Sequence, residues 1–216
     1  MMRNPRGRRV NRLLGLAAAI VACASCGDVA RTGRSPVYLV IDSLQGVPGG
    51  GHGAGTPAGT LSSDVLVLVT SGGTCSIHNP CGTVYSDGGQ AVLSLALKDI
   101  GTTSSPATPT SNNTVTINRV HVEYIRADGR NQPGVDVPYP FDGSATATVP
   151  TSGQLTFSFV LVRAVAKEES PLIQLVNSPG FISTIAQVTF YGTDQVGNAV
   201  SVMGQIEVDF ADFGDT

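Results

Sequence analysis

The sequence predicts an all-β chain, folded as a single β-sandwich of about eight or nine strands with one short helical turn, behind an export signal. Three observations predict it. From Pro36 onward apolar residues recur with a period near two, and β-branched residues are prominent in these runs. Gly and Pro, 26 and 13 of the 216 residues, punctuate the gaps between them. Charged residues are only 13% of the chain, against the roughly 25% usual for soluble domains. Such a chain is not a helical bundle or a coiled coil, and its length suits one domain with a real core.

The first strand is expected over Val37 to Ser43 and the second over Ser63 to Thr70. The run Val65-Leu66-Val67-Leu68-Val69 in the second suggests burial on both faces. Thr83-Val84-Tyr85 reads as a short edge strand. Ala91 to Lys98 should turn Val92, Ser94 and Ala96 one way and Leu93, Leu95 and Leu97 the other. Thr114 to Arg126 alternates with a change of phase near Arg119-Val120, where a bulge would re-aim the strand. Ala145 to Val149, Gln154 to Ala164, Ser183 to Thr193 and Ala199 to Phe210 complete the set. Asp87-Gly88-Gly89, Asp128-Gly129 and Asp142-Gly143 supply turn residues, and residues 194–198 read as a hairpin loop. A helical turn is expected at Ser170 to Asn177, with Ser170 as N-cap and Pro171 in the first helical position, closing one end of the sandwich. Two long loops, Gln45 to Thr60 and Gly101 to Asn113, carry too little apolar surface to offset their ordering entropy and are expected to be disordered.

The final strands, Val188 to Asp194 through Gly197-Asn198 to Ile206-Glu207-Val208-Asp209-Phe210, resemble bacterial immunoglobulin-like and fibronectin-type modules. The chain departs from antibody-type domains in having no Trp and no cysteine pair at inter-sheet spacing. The resemblance implies an Ig-like sandwich and leaves activity open, because such folds host many functions.

The N-terminus specifies an address. Arg3, Arg6, Arg8, Arg9 and Arg12 precede an apolar run from Leu13 to Ala22, which gives way to small residues and cysteine. That is the pattern of a secretory signal, and the run is too short for the roughly 20 residues of a membrane span. Ile20-Val21-Ala22-Cys23 resembles the lipobox of bacterial lipoproteins, with Cys23-Ala24-Ser25-Cys26 the poorer match. The resemblance implies lipidation of Cys23, or alternatively Cys26, and stable anchoring by several acyl chains. No Asp directly follows either cysteine, which in a Gram-negative cell favours the outer membrane. The expected organisation is a signal peptide over 1–22, a lipidated tether over 23–35 and the sandwich over 36–213. Without the five N-terminal arginines the chain holds 8 basic and 16 acidic residues, a formal charge of −8. That lacks the basic footprint of a nucleic-acid binder.

Candidate chemistry is sparse. Cys75 and Cys81 enclose His78. In an exported chain a close cysteine pair is normally oxidised, so a disulfide pinning a tight hairpin tip is expected. The alternative is a metal site of Cys75, His78 and Cys81, for which no fourth ligand is evident nearby. No phosphate-binding Gly motif or nucleophile elbow occurs, and no cofactor is expected. His121 reads as a strand surface or rim residue. Asp209, Asp212 and Asp215, and the Asp194–Asn198 loop, read as a solvated acidic tail and an Asx-stabilised turn rather than calcium ligands. The connection from Arg126 to Phe141 is the better binding candidate: it carries Arg126, Arg130, Tyr139 and Phe141, stiffened by three prolines. The competing reading has Tyr139 and Phe141 packed on the sandwich end. The sequence thus points to a non-enzymatic, lipid-anchored envelope protein with a structural or binding role, its partners the membrane and an unidentified envelope protein.

Overall fold

Alternating apolar and polar residues build seven long strands, and their chain order assigns them to two packed sheets. In this computed structural model residues 34–214 are described, apart from His52. The segment expected to be a signal peptide and both lipidation candidates, Cys23 and Cys26, lie outside the described residues, as does Asp215. The strands are β1 (Val37–Val47), β2 (Thr60–Asp64), β3 (Val67–Val69), β4 (Cys81–Thr83), β5 (Asp87–Leu97), β6 (Gly101–Thr102), β7 (Ser105–Pro106), β8 (Val115–Ile125), β9 (Phe141–Val149), β10 (Leu155–Val162), β11 (Phe181–Asp194) and β12 (Ala199–Ala211). One sheet has the order β1-β5-β10 and the other β2-β12-β11-β8-β9. Taking the seven long strands alone, the first, second and fifth form one sheet and the third, fourth, sixth and seventh the other. This is the strand distribution of an Ig-like sandwich with the fourth strand on the second sheet. Pairing is antiparallel except for β2, which crosses from the first sheet and runs parallel to β12.

The core lies between the sheets. Leu39, Ala91 and Leu93 face Ile117, Val122, Val188, Phe190 and Val208, all buried. Phe190 on β11 meets Phe157 and Phe159 on β10 edge-to-face, with centroids 6.2 and 5.3 Å apart. Tyr124, inward at the end of β8, donates its hydroxyl to Leu161 O across the sandwich at 2.6 Å. Burial, reinforced by the Asp87 carboxylate, raises the Tyr124 phenol far above its usual range.

The alternation in β5 and the phase change in β8 are as expected: the register shifts between Ile117 and Arg119, so that Val115 and Ile117, then Val120, Val122 and Tyr124, all point inward. Several expectations need correction, the short strand expected at Thr83-Val84-Tyr85 among them, since it lies instead at Cys81–Thr83. Residues 63–70 are not one strand. Asp64 Oδ1 accepts from Leu66 N at 3.2 Å, and this local turn divides β2 from β3, leaving Leu68 exposed rather than buried on both faces. Asp87-Gly88-Gly89 and Asp142-Gly143 lie inside β5 and β9, because cross-strand partners hold them extended. The strand ends before Ala164, where a short helix, α1 (Ala164–Lys167), begins. The later turn is a 3-10 helix over Leu172–Leu175, with Pro171 at the cap and Ser170 Oγ accepting from Gln174 Nε2 instead. Its Leu172 and Leu175 are buried, so it does close the sandwich end.

The two long loops are more structured than composition suggested. A hairpin, β6–β7, and a 3-10 turn at Ser111–Asn113 occupy the second. In the first, Gly46 and Ala58 exchange backbone hydrogen bonds, and Gly49 sits against the chain with no room for a side chain. A Cβ on Gly49 would lie 2.0 Å from Ser86 O.

Phe190→Ala should lower stability by about 3–5 kcal/mol, since it empties the junction of the sheets. The check is the denaturant midpoint at unchanged m-value.

Candidate functional site

The outward residues of the five-stranded sheet alternate with inward core residues and are mostly polar, with Phe181 and Met203 exposed among them. At one end, the Arg119 guanidinium lies 3.9 Å from the Tyr191 ring centroid and 3.2 Å from Asp142. His121 Nδ1 lies 3.0 Å from the same Asp142 oxygen. His121 is thus a strand-face residue, as expected, with Asp142 as its neighbour.

At the other end, β8 runs into the 126–140 connection. Arg126 and Arg130 both fork onto Asp128, each with a 2.8 Å bond from Nη2 to Oδ2. Hydrogen bonds from Arg126 and then Arg130 hold the Asp128 carboxyl well below the usual carboxylate range. The carboxylate also caps Arg130 N, and Gln132 O accepts from Val135 and Asp136. The connection is therefore a built loop with one carboxylate shared by two guanidinium groups, and Asp136, which also acts on Arg130, brings its formal charge to zero. Beside it an open cleft of about 630 Å³ is lined by Arg126, Asp128, Phe181, Ile185, Gln205 and Glu207. Phe181 is 71% exposed, an unusual state for a large aromatic ring.

The four candidate binding residues do not gather at one point. Arg126 and Arg130 meet at Asp128. Tyr139 is half exposed, and its ring lies over Gly134, whose φ is +76° and where a Cβ would fall 2.3 Å from the Tyr139 hydroxyl. Phe141 belongs to β9, partly buried against the core, with the Arg163 guanidinium 4.5 Å from its ring centroid. Val137, not Tyr139, is the residue that staples the loop to the core.

Cys75, in the connection after β3, and Cys81, the first residue of β4, form a disulfide with Cα atoms 5.4 Å apart. The two sulfurs of the alternative metal set are therefore bonded to each other. Among the described residues no group of three or more His, Cys, Asp or Glu side chains is arranged to hold a metal ion. The Asp194 loop is an Asx turn: Oδ1 accepts from Val196 N and Asn198 N, and Oδ2 from Asn198 Nδ2. Burial pushes the Asp194 carboxyl up, but bonds from Asn198, Ser35 and Val196 outweigh it and hold it below its ordinary value. Asp212 Oδ2 accepts from Asn177 N at 2.6 Å, a structural use.

One polar cluster carries almost no signature in the sequence. Lys167 on α1 and Asp87 at the start of β5 are each 1% exposed, with Nζ 2.8 Å from Oδ2. Lys167 Nζ also donates to Asp64 O at 2.7 Å. Asp87 Oδ2 accepts from Ser63 Oγ at 2.6 Å and Oδ1 from Gly49 N at 2.8 Å. The one sequence signal was a lysine ending the run Ala164-Val165-Ala166 directly after a buried strand. Comparisons with protein-family models, with curated proteins and with solved structures found no match.

Two measurements follow from these sites. Cys75 and Cys81 should resist alkylation until reduced, and Cys75→Ser should destabilise the chain by about 2 kcal/mol, read from thermal or denaturant unfolding. Asp194→Asn should cost about 1–2 kcal/mol at neutral pH, by losing bonds to a charged acceptor. Because the folded Asp194 titrates below the unfolded value near 3.9, its contribution is present above that pH and is lost as pH falls through the folded value. Denaturant midpoints of wild type and variant should therefore converge below about pH 4.

Proposed function

We propose that this is a non-enzymatic, lipid-anchored protein of the bacterial cell envelope, and that its sandwich presents a binding face to another envelope protein. The observation that carries the address is the run from Arg3 to Cys26: basic flank, short apolar stretch, then Ile20-Val21-Ala22-Cys23. The disulfide supports it, since such bonds persist in oxidising compartments. Residues 27–35 serve as the tether, and the absence of Asp after either cysteine favours the outer membrane in a Gram-negative cell.

The binding role rests on the cleft beside Arg126. An exposed Phe181 and the adjoining Ile185 share the cleft with Arg126, Asp128 and Glu207, apolar groups among charged ones. That is the composition by which protein interfaces are recognised. The shallow, open form suits a protein surface better than a small ligand, which calls for an enclosed pocket. The two arginines of this loop are balanced in charge by Asp128 and Asp136, so they offer directed hydrogen-bond donors rather than a net positive site. They would hydrogen-bond carboxylates or carbonyls of the partner at close range.

Mass analysis of protein extracted from its own membrane should find a mature N-terminus at Cys23 or Cys26 carrying acyl chains. Cys23→Ala combined with Cys26→Ala should move the protein out of the membrane fraction. A photo-crosslinking residue in place of Phe181 should yield one discrete adduct in intact cells. The same residue in place of Ile77, exposed at the disulfide tip, should not. An unlipidated N-terminus would remove the anchor, and equal adducts at the two positions would remove the binding face.

A further inference from the structure

We propose that Lys167 and Asp87 condense into an intramolecular amide, a covalent clamp at the closed end of the sandwich. The inference is independent of the envelope reading and rests on the buried cluster alone. Nζ stands 2.8 Å from Oδ2, and both side chains are 1% exposed. A carboxyl C–O bond is about 1.25 Å, so Cγ is within about 4 Å of Nζ whatever the orientation. The productive distance for such an attack is about 3–3.5 Å, which a side-chain adjustment reaches.

The surroundings match what the reaction requires of them. Gly49 N–H donates to Oδ1 at 2.8 Å, the oxygen that stays as the amide carbonyl and bears the charge of the tetrahedral intermediate. Ser63 Oγ donates to Oδ2 at 2.6 Å, the oxygen that leaves. Asp64 O holds Nζ through a second hydrogen bond of 2.7 Å and fixes the direction of the amine. No solvent competes at a site this enclosed, and an amide replaces two buried charges by a neutral group.

The balance closes without a co-reactant. The ammonium passes one proton to Oδ2, giving an amine and a carboxylic acid. The Nζ lone pair attacks Cγ, and the intermediate's charge develops on Oδ1 against Gly49 N–H. The C–Oδ2 bond breaks as a second proton passes from nitrogen to Oδ2, which departs as water. Nitrogen keeps one hydrogen, and nothing is oxidised or reduced. The new bond closes the chain between residues 87 and 167, joining the first sheet to the connection that leads into the second.

The test is peptide mapping of the full, reduced and alkylated protein after tryptic digestion. Cleavage at Arg34, Lys98 and Arg163 leaves Asp87 in the peptide 35–98 and Lys167 in the segment from 164 onward. The expected product is these two joined, at their summed mass less one water, with no cleavage at Lys167. Linear 35–98 at its sequence mass, with Lys167 cleaved, would overturn the proposal. So would a water loss confined to one peptide, the mark of a cyclic imide. Lys167→Arg keeps the charge without an amine able to form this bond, and must abolish the joined species. Survival of that species in the variant would assign the link elsewhere. The wild-type map decides the matter even where the variant fails to fold.

Discussion

The Lys167–Asp87 pair is the constraint around which one end of the molecule is arranged. Two opposite charges withdrawn from water each carry a desolvation penalty of several kcal/mol, repaid only by close approach and by bonds to their remaining groups. Every neighbouring element supplies such a bond. β2 ends where Ser63 and the Asp64 carbonyl can reach the pair. The glycine loop comes close enough to offer Gly49 N–H because Gly49 has no side chain to meet Ser86. α1 follows β10 at once, which brings Lys167 inward rather than to the surface. Three parts of the chain, near residues 49, 63–64 and 164–167, are thereby committed to positions that their own propensities do not dictate.

Beyond that end, the molecule is governed by the two faces of each strand. Inward residues make one apolar core, keyed by Phe190 between Phe157 and Phe159. Outward residues of the five-stranded sheet are free to carry charge and recognition. There the Arg126–Asp128–Arg130 fork organises a loop that Val137 ties to the core: one shared carboxylate holds two guanidinium groups, with Asp136 nearby as the second negative charge. Its rim exposure means that it organises the loop more than it stabilises the fold. A rigid loop beside an exposed aromatic ring loses little conformational entropy on binding, the physical advantage of a preorganised face.

The strands were largely legible because burial on one face writes a period of two into the chain. β5, β8, β11 and β12 carry that period, and the bulge after Ile117 showed as a break in it. The division at Asp64 did not show, since a single carboxylate accepting from Leu66 N interrupts an apolar run that otherwise reads as one strand. Candidate residues were legible in type and not in placement. Arg126 and Arg130 converge, whereas Phe141 is drawn toward the core and stacked by Arg163, a residue far along the chain.

By itself the sequence determined the sandwich, most of its strand phases and the closeness of two cysteines, because each is written in local spacing: alternation, turn residues, and a separation of six between Cys75 and Cys81. The run from Arg3 to Cys26, on which the proposed export rests, is likewise contiguous. Only the tertiary structure decided the sheet order, the parallel seat of β2, the ordering of the glycine loop and the meeting of Lys167 with Asp87. Those depend on contacts between residues far apart in sequence. A lone aspartate before two glycines and a lone lysine after two alanines have no shared pattern until the fold removes both from water and leaves each the other as partner.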